Sequence, residues 1–244
     1  MDQLDYTVTV SPRARQVRLR ISVYDGRLTV IIPRGFDRRL IPGIVASKRA
    51  WIARTRARIA EQRERAQTDV GDGRPDRVAL PALGEEWRVD YQPEPRADGR
   101  VTLVERAGHV ALVRGNVEDA QLCHGLLRLW MQRKARAALV PWLLRLSREH
   151  GLPVAGARVR GQRTRWGSCS SRGTISLNRR LLFLPPTLVE YVMLHELCHG
   201  AHPDHSPGFW SLLESRLPGA RALDKQLRQA WRCVPRWMEE ADRA

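Results

Sequence analysis

Cysteine is scarce in this chain, and it never occurs as a CxxC pair. Cys123, Cys169, Cys198 and Cys233 lie far apart, which argues against a disulfide framework and for reduced thiols. Long apolar runs are also missing. None approaches the roughly 20 residues that cross a bilayer, so no membrane span is expected. The opening Met1-Asp2-Gln3-Leu4-Asp5-Tyr6 has no basic or apolar signal region, and a cytoplasmic location is the expectation. The chain lacks a glycine-rich phosphate loop and a carboxylate cluster suited to Mg²⁺. It has no internal repeat and no low-complexity tract. Lysine is almost absent: Lys48, Lys134 and Lys225 are the whole complement, and every other strong base is arginine.

The chain has 244 residues, 43% of them hydrophobic, with eight tryptophans. That suffices for one large domain or two small ones with a real core and excludes wholesale disorder. Basic residues outnumber acidic ones, 42 to 26, for a formal charge of +16. Such an excess predicts an anionic partner, nucleic acid or a nucleotide among them. Arg158, Arg160, Arg163, Arg165, Arg172, Arg179 and Arg180 form the densest cluster, with no acidic residue from Ala157 to Val189. They either face a shared cleft or make a solvated positive surface.

The chemistry concentrates after this cluster. His195-Glu196-Leu197-Cys198-His199 is an HExxH pair, and His205 follows six residues later. On a helix, residues i and i+4 share a face, so His195 and His199 can grip one metal ion. Zn²⁺ takes imidazole well, and a catalytic zinc site uses three protein ligands with the fourth place left to water. His205 is the favoured third ligand because Ser206-Pro207 reads as the N-cap and first position of a new helix, Pro207 to Leu217. Glu214, His202 and Asp204 remain alternatives, His202 reading better as a rim residue. Glu196 is placed to act as general base on a water whose pKa zinc lowers to about 7. Tyr191, one turn before His195, is a candidate donor to the oxyanion, and Trp166 and Trp210 are candidates to line the cleft.

Periodicity predicts an α+β chain, with a β-rich N-terminal region (1–113) holding one helix at about 38–65, then a catalytic domain over 117–244. Strands are expected at Tyr6–Val10, Gln16–Val23 and Leu28–Ile32, the last two joined by a hairpin at Asp25-Gly26. A polar linker is expected over Thr68–Arg77, then strands at Val78–Leu83, Glu86–Tyr91, Val101–Glu105 and His109–Val113. Glu118–His150 reads as a long helix that Pro141 kinks or divides. Short strands at Arg158–Gly161, Arg165–Ser170 and Thr174–Leu177 come before the HExxH helix, which would open on a capping box of Thr187 and Glu190. Gly200 is expected to end that helix, and a last helix is expected over Ala222–Trp231. Thr174–Asn178 is the candidate edge strand for pairing with a substrate chain.

Thr164-Arg165-Trp166-Gly167-Ser168-Cys169-Ser170, Ile175-Ser176-Leu177-Asn178, the HExxH segment and His205-Ser206-Pro207-Gly208-Phe209-Trp210 together resemble the YgjP-like metallopeptidases. These are zincins related to the SprT-like proteases. The resemblance extends more weakly to the hairpin ending at Pro33 and the helix with Lys48 and Trp51. It implies a zincin-like domain with a small antiparallel sheet, and a zinc peptidase with His195, His199 and His205 as ligands and Glu196 as base. Asp204 departs from the asparagine expected beside the third ligand. The metzincin pattern, which wants glycine at the place of His202, does not fit. The function expected is hydrolysis of peptide or protein substrates. A metal-dependent nucleotide phosphoanhydride hydrolase and a DNA-associated SprT-like protease are the alternatives.

Overall fold

Leu28, Val30 and Ile32 are buried while Thr29 and Ile31 between them are half-buried. This period of two puts one face of the strand into a core. In the computed structural model, which describes residues 5–12, 14–21, 27–66, 73–94 and 99–238, that strand is the centre of a three-stranded sheet. β1 (Tyr6–Val10) pairs parallel to β3 (Leu28–Ile32), and β2 (Arg18–Ile21) pairs antiparallel to it. The expected turn at Asp25-Gly26 lies outside the described residues. Ile41, Val45 and Ile52 close the core of this unit.

Its helical part is broken where a single helix was expected. A 3-10 turn at Arg38–Leu40 leads into α1 (Ile41–Ser47), and α2 (Arg49–Ala66) follows after Lys48. Pro42 sits in the first turn of α1, where its missing N–H costs nothing. The break has a local cause: the Ser47 hydroxyl and the Lys48 amide both donate to carbonyls three residues back, tightening the last turn.

The chain divides into Met1–Asp69 and Val70–Ala244. The expected boundary between 113 and 117 is therefore misplaced. The reason is packing: β4 (Arg77–Leu80), β5 (Glu85–Pro93), β6 (Val101–Arg106) and β7 (Val110–Gly115) form a sheet of order β4-β5-β7-β6. Its apolar face shares a core with α3 (Ala120–Glu149). Trp87 of β5 meets Trp130 of α3 edge-on at 5.3 Å, and the Lys134 ammonium lies 3.8 Å above Trp87. Glu85 and Glu105 flank that ammonium at 3.5 and 3.3 Å, which keeps a half-buried cation paired. Asp119 caps α3 through the amides of Gln121 and Leu122. The helix runs unbroken through Pro141. Pro141 is exposed, so the carbonyl of Ala137 that it deprives of a donor can turn to solvent.

The second sheet positions the site. β8 (Gly156–Arg160) pairs parallel to β10 (Thr174–Asn178), and β9 (Gly167–Cys169) pairs antiparallel to it. The sheet is thus mixed, where an antiparallel one was expected. β10 is its centre and β9 an edge. Leu177, Ile175 and Val159 enter the core shared with α3 and α4 (Pro186–Cys198). α4 opens on Pro185-Pro186, two residues earlier than the expected capping box at Thr187, because Pro186 is already preset for a first helical position. Gly200 is not in the left-handed region, among the described residues, so it does not act as the expected glycine stop. Ser206 caps α5 (Pro207–Arg216) as expected. α6 (Ala220–Leu227) follows, with a 3-10 turn at Ala230–Cys233 where a continuous helix was expected. No helix of the described residues is long and apolar enough to cross a membrane, and all four cysteines are free.

Asn178 is fully buried at the end of β10. Its amide donates to the carbonyls of Gln162 and Arg165 at 2.6 and 2.7 Å, and its oxygen accepts from the Arg180 amide at 3.1 Å. The buried Arg180 guanidinium also donates to Gln162 O and to Met238 O. These bonds pin the connection between β8 and β9. Asn178→Ala should therefore lower unfolding free energy by roughly 2–4 kcal/mol, the cost of stranding buried backbone groups. Urea denaturation checks this; a loss under about 0.5 kcal/mol would mean that the pins are not structural.

Candidate metal centre

His195 and His199 lie one turn apart on α4, and the loop after it returns His205 to the same point just before Ser206 caps α5. One ligand-capable atom from each of these histidines lies within 4.8 Å of the others. The Nε2 atoms of His195 and His205 approach to 3.0 Å. Two imidazole lone pairs repel at that distance unless a proton or a cation sits between them. Phe209, fully buried on the first turn of α5, floors all three rings at 4.7–4.9 Å between centroids.

Each helix histidine is held from behind. The carbonyl of His202 accepts from His199 Nδ1 at 2.9 Å, which leaves Nε2 of that ring as a free lone pair. Tyr191 donates its hydroxyl proton to Asp224 at 3.1 Å and accepts from His195 Nδ1 at 3.3 Å. Asp224 is in turn gripped by the Arg228 guanidinium at 2.6 Å. Burial, then Asp224, raises the Tyr191 phenol well above its ordinary value, so the donor keeps its proton. Burial, reinforced by His199 and His205, lowers His195 to about 4. Burial likewise lowers His199. Both rings are therefore neutral at pH 7, the form that ligates metals. A compact set of three imidazoles suits a divalent transition-metal ion such as zinc.

Glu196 is only 7% exposed. Its carboxylate lies against β9, where a Cβ on Gly167 would come within 2.7 Å of Cγ and Oε1. Burial pushes its pKa up to about 7, opposed by a hydrogen bond to the Cys169 backbone and by Arg165. A carboxyl poised near neutrality can both take and return a proton.

The other sequence expectations divide. Glu214 is not part of the histidine cluster: its two oxygens accept from the amides of Gly219 and Arg221 at 2.9 Å and cap the start of α6. Asp204 accepts from the Ser206 amide at 3.3 Å. The His202 ring packs on Gly208, and it is the carbonyl of that residue that meets the site. Tyr191 is 1% exposed and faces Asp224 behind His195, so it cannot serve an oxyanion. Trp166 is buried and stacked on Trp231 at 3.8 Å, whereas Trp210 is half-buried, 6.4 Å from His205, with the Arg221 guanidinium 4.6 Å over its ring. Thr174–Asn178 is the central strand, so it offers no free edge; β9 does. Trp166 O and Ser170 N bond to β10, so the alternation of an antiparallel ladder turns the backbone groups of Gly167 and Cys169 outward. Of the arginine cluster, Arg179 and Arg180 are buried and support the fold. Sequence reading missed Asp224, Phe209 and the His202 carbonyl. Only Phe209 carried a signal, as an apolar residue one helical turn after His205.

No curated protein matches the chain. The crystal structure of the metallopeptidase zymogen of Pyrococcus abyssi abylysin is similar at 25% identity, covering 36% of this chain and 90% of its own, with a TM-score of 0.33. The family description "YgjP-like, metallopeptidase domain" matches residues 17–230. The chain therefore belongs to the YgjP-like metallopeptidase family.

Proposed function

We propose that the chain is a zinc-dependent peptidase in which His195, His199 and His205 hold the metal and Glu196 is the general base. The observation that carries this is the convergence of three imidazoles within 4.8 Å beside a carboxyl that is buried against the backbone of an edge strand. A bound zinc ion supplies Lewis acidity, polarising a peptide carbonyl and acidifying water.

The chain's own residues do the rest. The Asp224–Tyr191 pair and the His202 carbonyl hold two of the imidazoles in one tautomer and orientation. Phe209 keeps water from beneath the three rings. Glu196 removes a proton from the attacking water and delivers it to the leaving amine. The outward backbone groups of Gly167 and Cys169 give an extended substrate an edge to pair with, Cys169 N–H being shared with Glu196.

Metal analysis tests the ligand set first. Wild type should carry one zinc per chain, and His205→Ala should lose affinity by more than roughly 100-fold, beyond what losing an outer partner costs. Glu196→Gln should keep the zinc and lose turnover of a peptide substrate by roughly 100- to 10,000-fold. A wild type that takes up no metal when supplied with zinc would end the enzyme reading, and an active Glu196→Gln would end the role of Glu196.

Gly167→Ala probes the same contact from the strand. The new methyl must displace the Glu196 carboxyl, the movable end of its side chain. Zinc content should be unchanged and kcat should fall at least tenfold, while an unchanged kcat would separate Glu196 from the gap.

A pH prediction follows for the metal-free protein. Glu196 has its folded pKa raised from 4.5 to about 7, so the folded state binds the extra proton. Stability from this group is present below pH 4.5 and is lost as pH rises through 7. Glu196→Gln removes that loss. Its melting advantage over wild type should grow from nothing near pH 4.5 to about 3 kcal/mol at pH 8, and a gap that does not change with pH would contradict the buried carboxyl.

A further inference from the structure

The three-stranded sheet has two unlike faces. Val159, Ile175, Leu177 and Gly167 turn toward the helices. Strand alternation then turns Arg158 and Arg160 of β8, Ser176 of β10 and Ser168 of β9 to the opposite face. Arg158 and Arg160 are exposed, and the two serines are half-exposed. Across one end of this face runs the connection pinned by Asn178, which presents Arg163 and Arg165 to solvent. The sequence from Ala157 to Val189 contributes no acidic residue of its own. None of the exposed large hydrophobic residues among the described ones lies on this sheet.

We propose that this face, with the pinned loop beside it, is a binding surface for the phosphate backbone of nucleic acid. Three observations favour that partner over other anions. The basic surface extends past the site: Arg165 neighbours Glu196, but Arg158 and Arg160 stand on β8, the sheet edge opposite β9. An acidic peptide lying in the cleft would leave them unused, whereas a long polyanion spans both. The charge is carried by arginine, whose fork pairs with phosphate oxygens two at a time, and serine hydroxyls of the kind that also bond phosphates lie on the two strands beside the Arg158–Arg160 row. The absence of exposed apolar side chains on this face removes the part that a lipid surface would need. Arg158 and Arg160, two residues apart on a strand, project about 7 Å from each other. The ladder fixes the spacing of their backbone positions, while the exposed side chains still give up rotamer freedom on binding. A surface of this kind reads backbone, not bases, so binding is expected to tolerate sequence. The inference does not depend on the peptidase reading.

The test is fluorescence anisotropy of the full chain with a short fluorescein-labelled oligonucleotide, single-stranded and duplex, over a salt series. Affinity should fall steeply as salt rises. Arg158→Ala/Arg160→Ala/Arg165→Ala should bind at least tenfold more weakly, with the slope of log K against log salt reduced by about 2–3. Arg158→Lys/Arg160→Lys/Arg165→Lys should recover most of that slope. The single variant Arg158→Gln should reduce it by about 1, which keeps the test open if the triple variant folds poorly. Arg38→Ala/Arg39→Ala, which removes exposed charge from the other compact unit, should change affinity by less than about twofold. Equal losses in the two alanine variants would reduce the effect to net charge and overturn the proposal. So would salt-insensitive binding, or displacement of the oligonucleotide by polyglutamate at lower concentration than by unlabelled nucleic acid.

Discussion

The centre depends on a gap the width of a glycine between α4 and β9. Because Gly167 has no side chain, the helix lies close enough for the Glu196 carboxyl to rest on the strand backbone, and that contact leaves the group only 7% exposed. Burial then acts on Glu196, His195 and His199 in the direction that removes charge. It raises Glu196 to about 7 and lowers His195 to about 4. Opposite shifts on an acid and a base share one leading cause, the loss of water around them. The product is a pair of neutral imidazoles, His195 and His199, beside a carboxyl that changes protonation near neutral pH. Any side chain larger than hydrogen at position 167 would separate strand and carboxyl and undo this balance.

The imidazoles also need orientation, and the fold supplies it from unequal distances along the chain. The His202 carbonyl reaches His199 from three residues away, within the turn that brings the chain back to the site. The partner of His195 comes through Tyr191 from Asp224, which is 33 residues from that tyrosine and sits on α6. Glu214 gives α6 its place: its carboxylate accepts the amides of Gly219 and Arg221 at the start of that helix. An acidic residue that resembled a ligand in the sequence thus acts by fixing the helix that carries the outer support of His195.

What was legible in the sequence and what was not follow the range of the forces involved. The pairing of His195 with His199 depends only on helical spacing, and the place of His205 depends on Ser206-Pro207 opening a helix; both are local, and both were readable. The strands Tyr6–Val10 and Leu28–Ile32 were readable for the same reason, since alternation is local. The order β8-β10-β9 was not. It requires a parallel pairing between segments that are not neighbours in sequence, and this made β10 look like an edge when β9 is one. The domain boundary failed similarly. Strands β4–β7 read as part of a β-rich N-terminal region, but the burial of Trp87 against Trp130 ties their sheet to α3. Asp224 was invisible because nothing near it in sequence marks an acceptor for a tyrosine so far away.

The same three strands serve two surfaces because a strand alternates. On β9, Gly167 faces α4 and Ser168 faces away, so the candidate site and the basic face are separated by one residue. On β8, Val159 anchors the strand to the core while Arg158 and Arg160 on either side remain in solvent. A one-residue slip in register would exchange the faces, sending guanidinium groups into the core and Val159 into water. Asn178 opposes such a slip: it pairs with Arg160 in the ladder and binds the connection that leads to β9. The buried amide that holds the basic loop thereby also holds the register that keeps Gly167 beside Glu196. The charged face and the candidate metal centre therefore both depend on one side chain, since Asn178 binds the connection that carries Arg165 and leads into β9.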